Sequence, residues 1–436
     1  MDAMEAGWAR RDITPAPGIH MGGYWGRSSG ATGVHDPLFI RLIVWRNAAA
    51  GAVLISLDLV ALTADRVARI RRDVHAAIPF VAPEAILVCC THTHAGPLTI
   101  PFRGMGEIDP GYLEQVCIAV VSCAREAAAN LAAMSLGYAK PAVQIGINRR
   151  QTRSGSTVLG ANPEGPVVRH AHVVVIRTER GQAVLFQHAC HPVVLGSANH
   201  DISADFPGAA CAEVEKRTGS FALFINGAAG DINPRITGGT FGDVDQIGRE
   251  LGAAVAVAAS SASSPAGSTI SWDHRRLELP LMPPSGVARV AYQGAIQMLK
   301  ATIKSGGDEW VQRVPRAQLQ WAMGYLRTAF HPNRSATQSF EIQGLRIGGV
   351  TWLGMEGEIF SRYQLDLESS QVGPFVLCGF ANGCIGYVPT QEEYERGGYE
   401  VDTAYKVYPS VLMIAPESDA IISRTTAELL HALATS

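Results

Sequence analysis

The chain is short of charge, of basic runs and of long apolar stretches, and each shortage closes off a class of function. Charged residues make up 17% of its 436 residues and the formal net charge is −3. With no long basic block, it lacks the electrostatic footprint of a nucleic-acid binder. No run of about 18 uninterrupted apolar residues occurs, which is the length a membrane-spanning helix needs. The opening MDAMEAGWARRDITPAPG lacks the apolar centre of an export signal. Cysteine occurs eight times but never as CxxC. Cys89, Cys90, Cys117, Cys123, Cys190, Cys211, Cys378 and Cys384 sit mostly in apolar segments. That pattern describes buried small hydrophobes in a reducing compartment rather than a disulfide frame, and a cytoplasmic location follows. Internal repeats and low-complexity arrays are missing too. What is present, 47% hydrophobic residues, suffices for a sizeable core in one large domain or two ordinary ones.

Strand-like and helix-like stretches alternate through most of the chain. This predicts an α/β fold, a mixed sheet or sheets covered by helices. Residues 1–36 read as a loop-rich segment punctuated by Pro15, Pro17, Gly18, Gly22 and Gly23, with His20, Tyr24, Trp25 and Arg27 between. Such a loop either lines a site or simply packs. Residues 38–45 and 52–57 read as a strand pair. Thr63 is placed to cap a helix with Val67, Ile70, Val74 and Ile78 on one face. Asp109-Pro110 starts another that runs to about Met134. Residues 144–147 read as a short strand and 151–168 as a loop. A hairpin, 173–176 with 184–186, turns at Glu179-Arg180-Gly181. A helix capped by Asp205 precedes a buried strand at 221–225. Residues 285–330 hold two helix-like segments, 287–303 and 315–330, which either cover a site or pack on the sheet. Residues 341–347 and 350–353 pair across Gly348-Gly349, and 417–434 read as a closing helix.

The stretch ILVCCTHTHAGP (86–97) carries the clearest chemistry. Its apolar run reads as a buried strand ending in Thr91-His92-Thr93-His94 and a Gly96-Pro97 turn. Alternation along an extended chain points His92 and His94 the same way. Two imidazoles there suit a divalent metal, or one ligand and one proton-transfer group. Two satisfied histidines at a turn fit the pattern equally well. Later strand ends add His191, in His188-Ala189-Cys190-His191-Pro192, and Glu358, in Met355-Glu356-Gly357-Glu358. Two His and one carboxylate make a catalytic zinc set with a position left for water, whose pKa zinc lowers to about 7. Ligands gathered at strand ends are what an α/β site offers. His75 and His431 read as ordinary surface or packing residues. A second metal near Asp58, Asp205 or His200 stays open.

Seven short motifs then stand in order: T-H-T-H-A-G-P (91–97), I-N-R (147–149), H-P-V (191–193), S-A-D-F-P-G (203–208), G-D-I-N-P (230–234), G-E (357–358) and G-Y-V-P-T-Q-E-E-Y (386–394). In that order they resemble the catalytic domain of the neutral ceramidases, zinc amidases that release a fatty acid from a sphingoid base. The resemblance runs from about residue 8 to 430. It implies a single ceramidase-like catalytic domain over 1–436, Zn2+ as cofactor, and His92, His191, Glu358 and Tyr387 as ligands. It further implies that His94 sits behind the ligands or transfers protons. Arg149 and Tyr399 would orient the scissile carbonyl and stabilise the oxyanion. Tyr394 is then structural, and Glu356 rivals Glu358 on composition alone.

Three departures qualify the substrate. Asn233 stands where ceramidases carry a serine in G-D-x-S-P. An amide cannot be a nucleophile or proton carrier, but it can hydrogen-bond an oxyanion. The C-terminal immunoglobulin-like domain of ceramidases has no counterpart, and no export signal is evident. The resulting expectation is a cytoplasmic, zinc-dependent amide hydrolase acting on a small-molecule amide or ester, smaller or more polar than ceramide. It has no nucleic-acid partner and no transmembrane segment. A zinc esterase or lactam-opening enzyme is one alternative, and a non-catalytic protein keeping zinc as a staple is another. The acyl group, the amine and homo-oligomerisation are left open.

Overall fold

The structure, a computed structural model, describes residues 4–25, 27, 29–265, 267–370 and 373–435. Its main sheet has eight strands in the order Phe221–Asn226, Gly181–His188, His172–Thr178, Ala132–Ala139, Glu5–Asp12, Phe39–Arg46, Gly51–Leu57, Val81–Cys90. The pair at each edge is parallel and those between are antiparallel. Helices α1 (Ala64–Ala77), α2 (Pro110–Ala129), α3 (Asp205–Thr218) and α4 (Phe241–Ser260) pack on this sheet, and α1 and α3 are the crossovers of the two parallel pairs. Gly51–Leu57 is buried at every residue, as a strand covered on both faces must be.

The sheet curls until its two edges meet. Ser56 Oγ donates to the Phe224 carbonyl at 2.7 Å, Arg41 Nε to the Ala222 carbonyl at 3.0 Å, and Asn226 Nδ2 to the Thr91 carbonyl at 3.0 Å. The ends of Val81–Cys90 and Gly181–His188, far apart in sequence, therefore open onto one place.

A second sheet of four strands runs Ile270–Pro280, Thr337–Ile347, Val350–Met355, Phe375–Cys378. Helices α5 (Gly286–Lys304) and α6 (Glu309–Thr328) interrupt it. They are followed by α7 (Ser361–Ser370), α8 (Gln391–Arg396) and the closing α9 (Ser418–Thr435). Its loop at 380–382 docks on the edge strand of the first sheet. Cys90 N donates to the Phe380 carbonyl at 3.2 Å, and Asn382 N donates to the Val88 carbonyl at 2.7 Å. An edge that would otherwise be open to pairing is thus covered. A two-residue parallel ladder sets Glu358 opposite Tyr387.

The α/β class and most elements stand as the sequence predicts, and the differences have identifiable causes. Glu5–Asp12 is a strand at the centre of the main sheet, not loop. Its small residues hide it: a Cβ on Gly7 would strike the Ala127 carbonyl at 2.1 Å, so the strand lies tight under α2. The helix from Pro110 stops at Ala129. The Ala-rich run beyond it has helical propensity, but Ala132 and Ala133 pair with Ala6 and Glu5, and tertiary pairing wins. Residues 151–168 include a hairpin, Gly146–Arg153 with Ser156–Asn162. The second strand is largely exposed and carries no apolar pattern to announce itself. Helix α6 begins before Pro315 and keeps that proline inside it. Ala204, not Asp205, is the cap of α3. Asp205 is its first residue, at φ +57, and accepts from Phe206 N and Leu195 N. The α5–α6 hairpin buries its own small core around Ile296, Trp321 and Tyr325 and reaches the N-terminal loop through Arg313, which donates to the Arg27 carbonyl at 3.4 Å. All eight cysteines are free thiols. Among the described residues no helix is long and apolar enough to cross a membrane.

Candidate active site

His92 lies two residues past the end of its strand at φ +70, in the left-handed region. Strand alternation therefore does not set its direction, contrary to the sequence argument. The ring is aimed instead by its Nδ1, 2.6 Å from the Val60 carbonyl. His191 is held likewise, with Nδ1 2.6 Å from the Ala229 carbonyl and 3.1 Å from that of Ile232. A carbonyl only accepts, so each ring carries its proton on Nδ1 and presents a lone pair at Nε2. Both lone pairs face Glu358: Oε2 is 2.9 Å from His191 Nε2 and 3.6 Å from His92 Nε2. Burial pulls the pKa of His92 down to about 3 and holds those of His94 and His191 well below the usual imidazole range. Two neutral rings and a carboxylate converge on one point, an arrangement that a cation would satisfy. Imidazole nitrogens and a carboxylate oxygen are donors that can hold a divalent metal ion. His94 Nε2 is 3.0 Å from His92 Nε2, and the ligand atoms of His92, His94 and His191 all lie within 4.8 Å of one another. By distance, then, His94 belongs with the ligands as much as behind them. Its Nδ1 is buried without a hydrogen-bond partner.

Arg149 organises the adjoining wall. Its Nε donates to Glu400 at 2.8 Å, Nη1 to Asn233 Oδ1 at 3.1 Å and Nη2 to the Tyr387 hydroxyl at 2.9 Å. Arginine has donors only, so Asn233 must turn its carbonyl toward it and leave its NH2 free. Burial alone would lower the Arg149 pKa, but Tyr387, Glu400 and Glu358 around it hold it well above the usual value. Burial raises Tyr387 well above the ordinary phenol range and pushes Tyr399 up to about 12. The Tyr387 hydroxyl is thus held by Arg149, while its ring lies 6.5 Å from that of His191. Arg149 also sits over the Tyr399 ring at 6.0 Å.

All eight site residues expected from sequence fall in this one region. Glu356 does not: it accepts from Glu341 N at 3.0 Å, with a pKa raised by burial to about 8. Tyr394 donates to the Ile414 carbonyl at 2.9 Å, a structural contact. Sequence reasoning missed Glu400, Asp231 and Tyr408. Glu400 also accepts from Arg150 Nη1 at 2.5 Å. Two consecutive buried arginines demand buried carboxylates, and that signal was available. Asp231 accepts from Asn148, Ser361 N and Ser361 Oγ at 2.7–2.9 Å, tying the start of α7 beside Glu358. The Tyr408 hydroxyl donates to Glu358 Oε1, and nothing local in the sequence announces it.

These groups border a cavity of about 350 Å³ whose lining includes Tyr24, Trp25, His94, Arg149, Asn233 and Tyr399. Gly23, at φ +92, brings the N-terminal loop over it. A Cβ there would stand 2.4 Å from the His94 ring. The N-terminal loop therefore lines the site through Gly23, Tyr24 and Trp25.

No curated protein matches the chain in sequence. Two solved structures share its fold. One, described as a ceramidase complexed with C2, superposes with a TM-score of 0.76 at 19% identity, covering 100% of this chain and 76% of its own. The other, neutral ceramidase from Pseudomonas aeruginosa, gives a TM-score of 0.73 at 20% identity, covering 99% and 75%. Residues 4–250 match the family profile described as neutral/alkaline non-lysosomal ceramidase, N-terminal. The chain belongs to the neutral/alkaline non-lysosomal ceramidase family.

Proposed function

We propose that this protein is a zinc-dependent hydrolase that cleaves an amide bond in a cytoplasmic substrate smaller or more polar than ceramide. The observation carrying this reading is the pair of neutral imidazoles, His92 and His191, whose Nε2 lone pairs meet the Glu358 carboxylate beside the Arg149 cavity. His92, His191 and Glu358 would hold the metal, with Tyr387, opposite Glu358 in the two-residue ladder, as the fourth residue. A divalent ion supplies Lewis acidity there and lowers the pKa of water to about 7.

The chain's own residues do the rest. The free NH2 of Asn233, the Tyr399 hydroxyl and the remaining N–H groups of Arg149 hold the carbonyl oxygen. They hold it more tightly as negative charge grows on it. His94, with an unpartnered Nδ1, relays a proton to the leaving amine. Asn233 positions the substrate and takes no part as nucleophile. A cavity of about 350 Å³ stands at the low end of the range for ligand sites, roughly 300–1,000 Å³, which supports a small substrate. Eight free cysteines support a reducing compartment.

The test is the metal content of purified wild type beside His92→Ala and Glu358→Ala, with amide and ester panels assayed together. One equivalent of zinc missing from both variants, with amide turnover lost, is the expected result. Unchanged zinc in both would remove the site, and ester turnover without amide turnover would replace the amidase with an esterase.

A further inference from the structure

We propose that His170, His172 and Glu368 form a second metal site, for a first-row divalent ion such as zinc, near the other end of helix α7. The inference does not rest on the hydrolase reading. His170 and His172 stand two apart at the opening of the strand His172–Thr178, with rings edge to face at 5.0 Å and 82°. Glu368, from α7, divides its carboxylate between them: Oε1 is 2.9 Å from His172 Nε2, and Oε2 is 2.8 Å from His170 Nε2. Their ligand atoms lie within 4.8 Å of one another.

Hydrogen bonding satisfies only part of this geometry: His172 Nε2 bonds Glu368 Oε1 at 2.9 Å. His170 Nε2 is buried and makes no hydrogen bond despite its closeness to the carboxylate, because the pair is out of line. Ligands bonded at about 2.0–2.1 Å to a tetrahedral ion stand about 3.3 Å apart, so these atoms need to spread by only about half an ångström to take one. The ring of His172 is fixed from behind by the Tyr138 hydroxyl, 2.7 Å from Nδ1, as metal-binding imidazoles are. Gln364 Nε2 steadies the carboxylate at 2.8 Å. Beside them His188 gives its Nδ1 to the His170 carbonyl at 2.9 Å and keeps a buried Nε2 without partner.

Lys140 Nζ, 2.5 Å from Glu368 Oε2, is the competitor for the ion. Its side chain is 41% exposed and can swing into solvent. The ion's role is to pin α7, which supplies Glu368. Asp231 already clamps the first turn of that helix beside Glu358. The ion would fix the other end, about 10 Å along the axis.

The test loads the full chain with zinc chloride, desalts it and counts zinc by mass spectrometry in wild type, His191→Ala, Glu368→Gln and the double variant. The expected counts are about two, one, one and none. An unchanged count in Glu368→Gln overturns the second site, whatever His191→Ala does. Loss in Glu368→Gln with no loss in His191→Ala faults only the first site. Should Glu368→Gln misfold by circular dichroism, Lys140→Ala decides. Freed of its competitor, the second equivalent should survive about tenfold more chelator than in wild type, and unchanged retention overturns the proposal.

Discussion

Two clusters in this molecule carry nearly the same donors, two or three imidazoles and a glutamate, yet their surroundings differ. Around His92, His191 and Glu358 the rings are locked by backbone carbonyls, burial is complete, and a cavity with Arg149, Asn233 and Tyr399 adjoins. Around His170, His172 and Glu368 the His170 side chain is 18% exposed and a lysine leans on the carboxylate. Donor type alone therefore does not make an active site. What separates the two is a walled space with donors aimed at where charge develops.

The sharpest way to break that contrast is His191→Ala. It should lower amide turnover at least about 10³-fold and remove one zinc, because His191 supplies one of the converging donors and no described neighbour replaces it. Full activity would erase the distinction. Arg149→Lys should make the first cluster resemble the second, metal-holding but slow. A lysine cannot keep three partners, and kcat/KM should fall by about 10²–10³ with zinc content unchanged. Tyr408→Phe removes the hydroxyl behind Glu358. Zinc affinity at the first site should drop about 10–100-fold, measured by chelator competition, while the second equivalent is untouched.

The last effect is on stability and leaves the site aside: it concerns the seam between the sheet edges, where Arg41 reaches both Asp58 and the Ala222 carbonyl. Burial raises the Asp58 pKa from 3.8 to about 6 against the pull of Arg41. Between those values the unfolded chain releases a proton that the native chain keeps, so native stability falls as pH rises through the window. The loss is about 3 kcal/mol when complete. Asp58→Asn abolishes it. Urea titrations at about pH 4 and pH 7 should show the variant gaining most of that amount, about 2 kcal/mol, relative to wild type.

Much of the first site was readable from sequence because its residues end strands: His92 and His94 in T-H-T-H, His191 before a proline, Glu358 after Gly357. The second His-x-His, Arg169-His170-Ala171-His172, has the same spacing but opens a strand instead of closing one, and its glutamate lies 196 residues beyond His172. Asp58, Asp205 and His200, the positions left open for a second metal, are engaged otherwise, by Phe39 N and Arg41, by the backbone of Leu195 and Phe206, and by Ser29. The strand Glu5–Asp12 was invisible because alanine and glycine pair there for space rather than propensity. The Tyr408 contact depends on how a late loop folds back, which no local pattern encodes.

The curl that brings the two edges of the main sheet together has a consequence in time. In chain order His92 comes early, His191 near the middle and their carboxylate, Glu358, late. Glu358, Tyr387 and the Tyr408 hydroxyl behind them arrive only after the second sheet has been made and has docked on Val81–Cys90. On the proposed mechanism the chain lacks its carboxylate donor until the second sheet is complete.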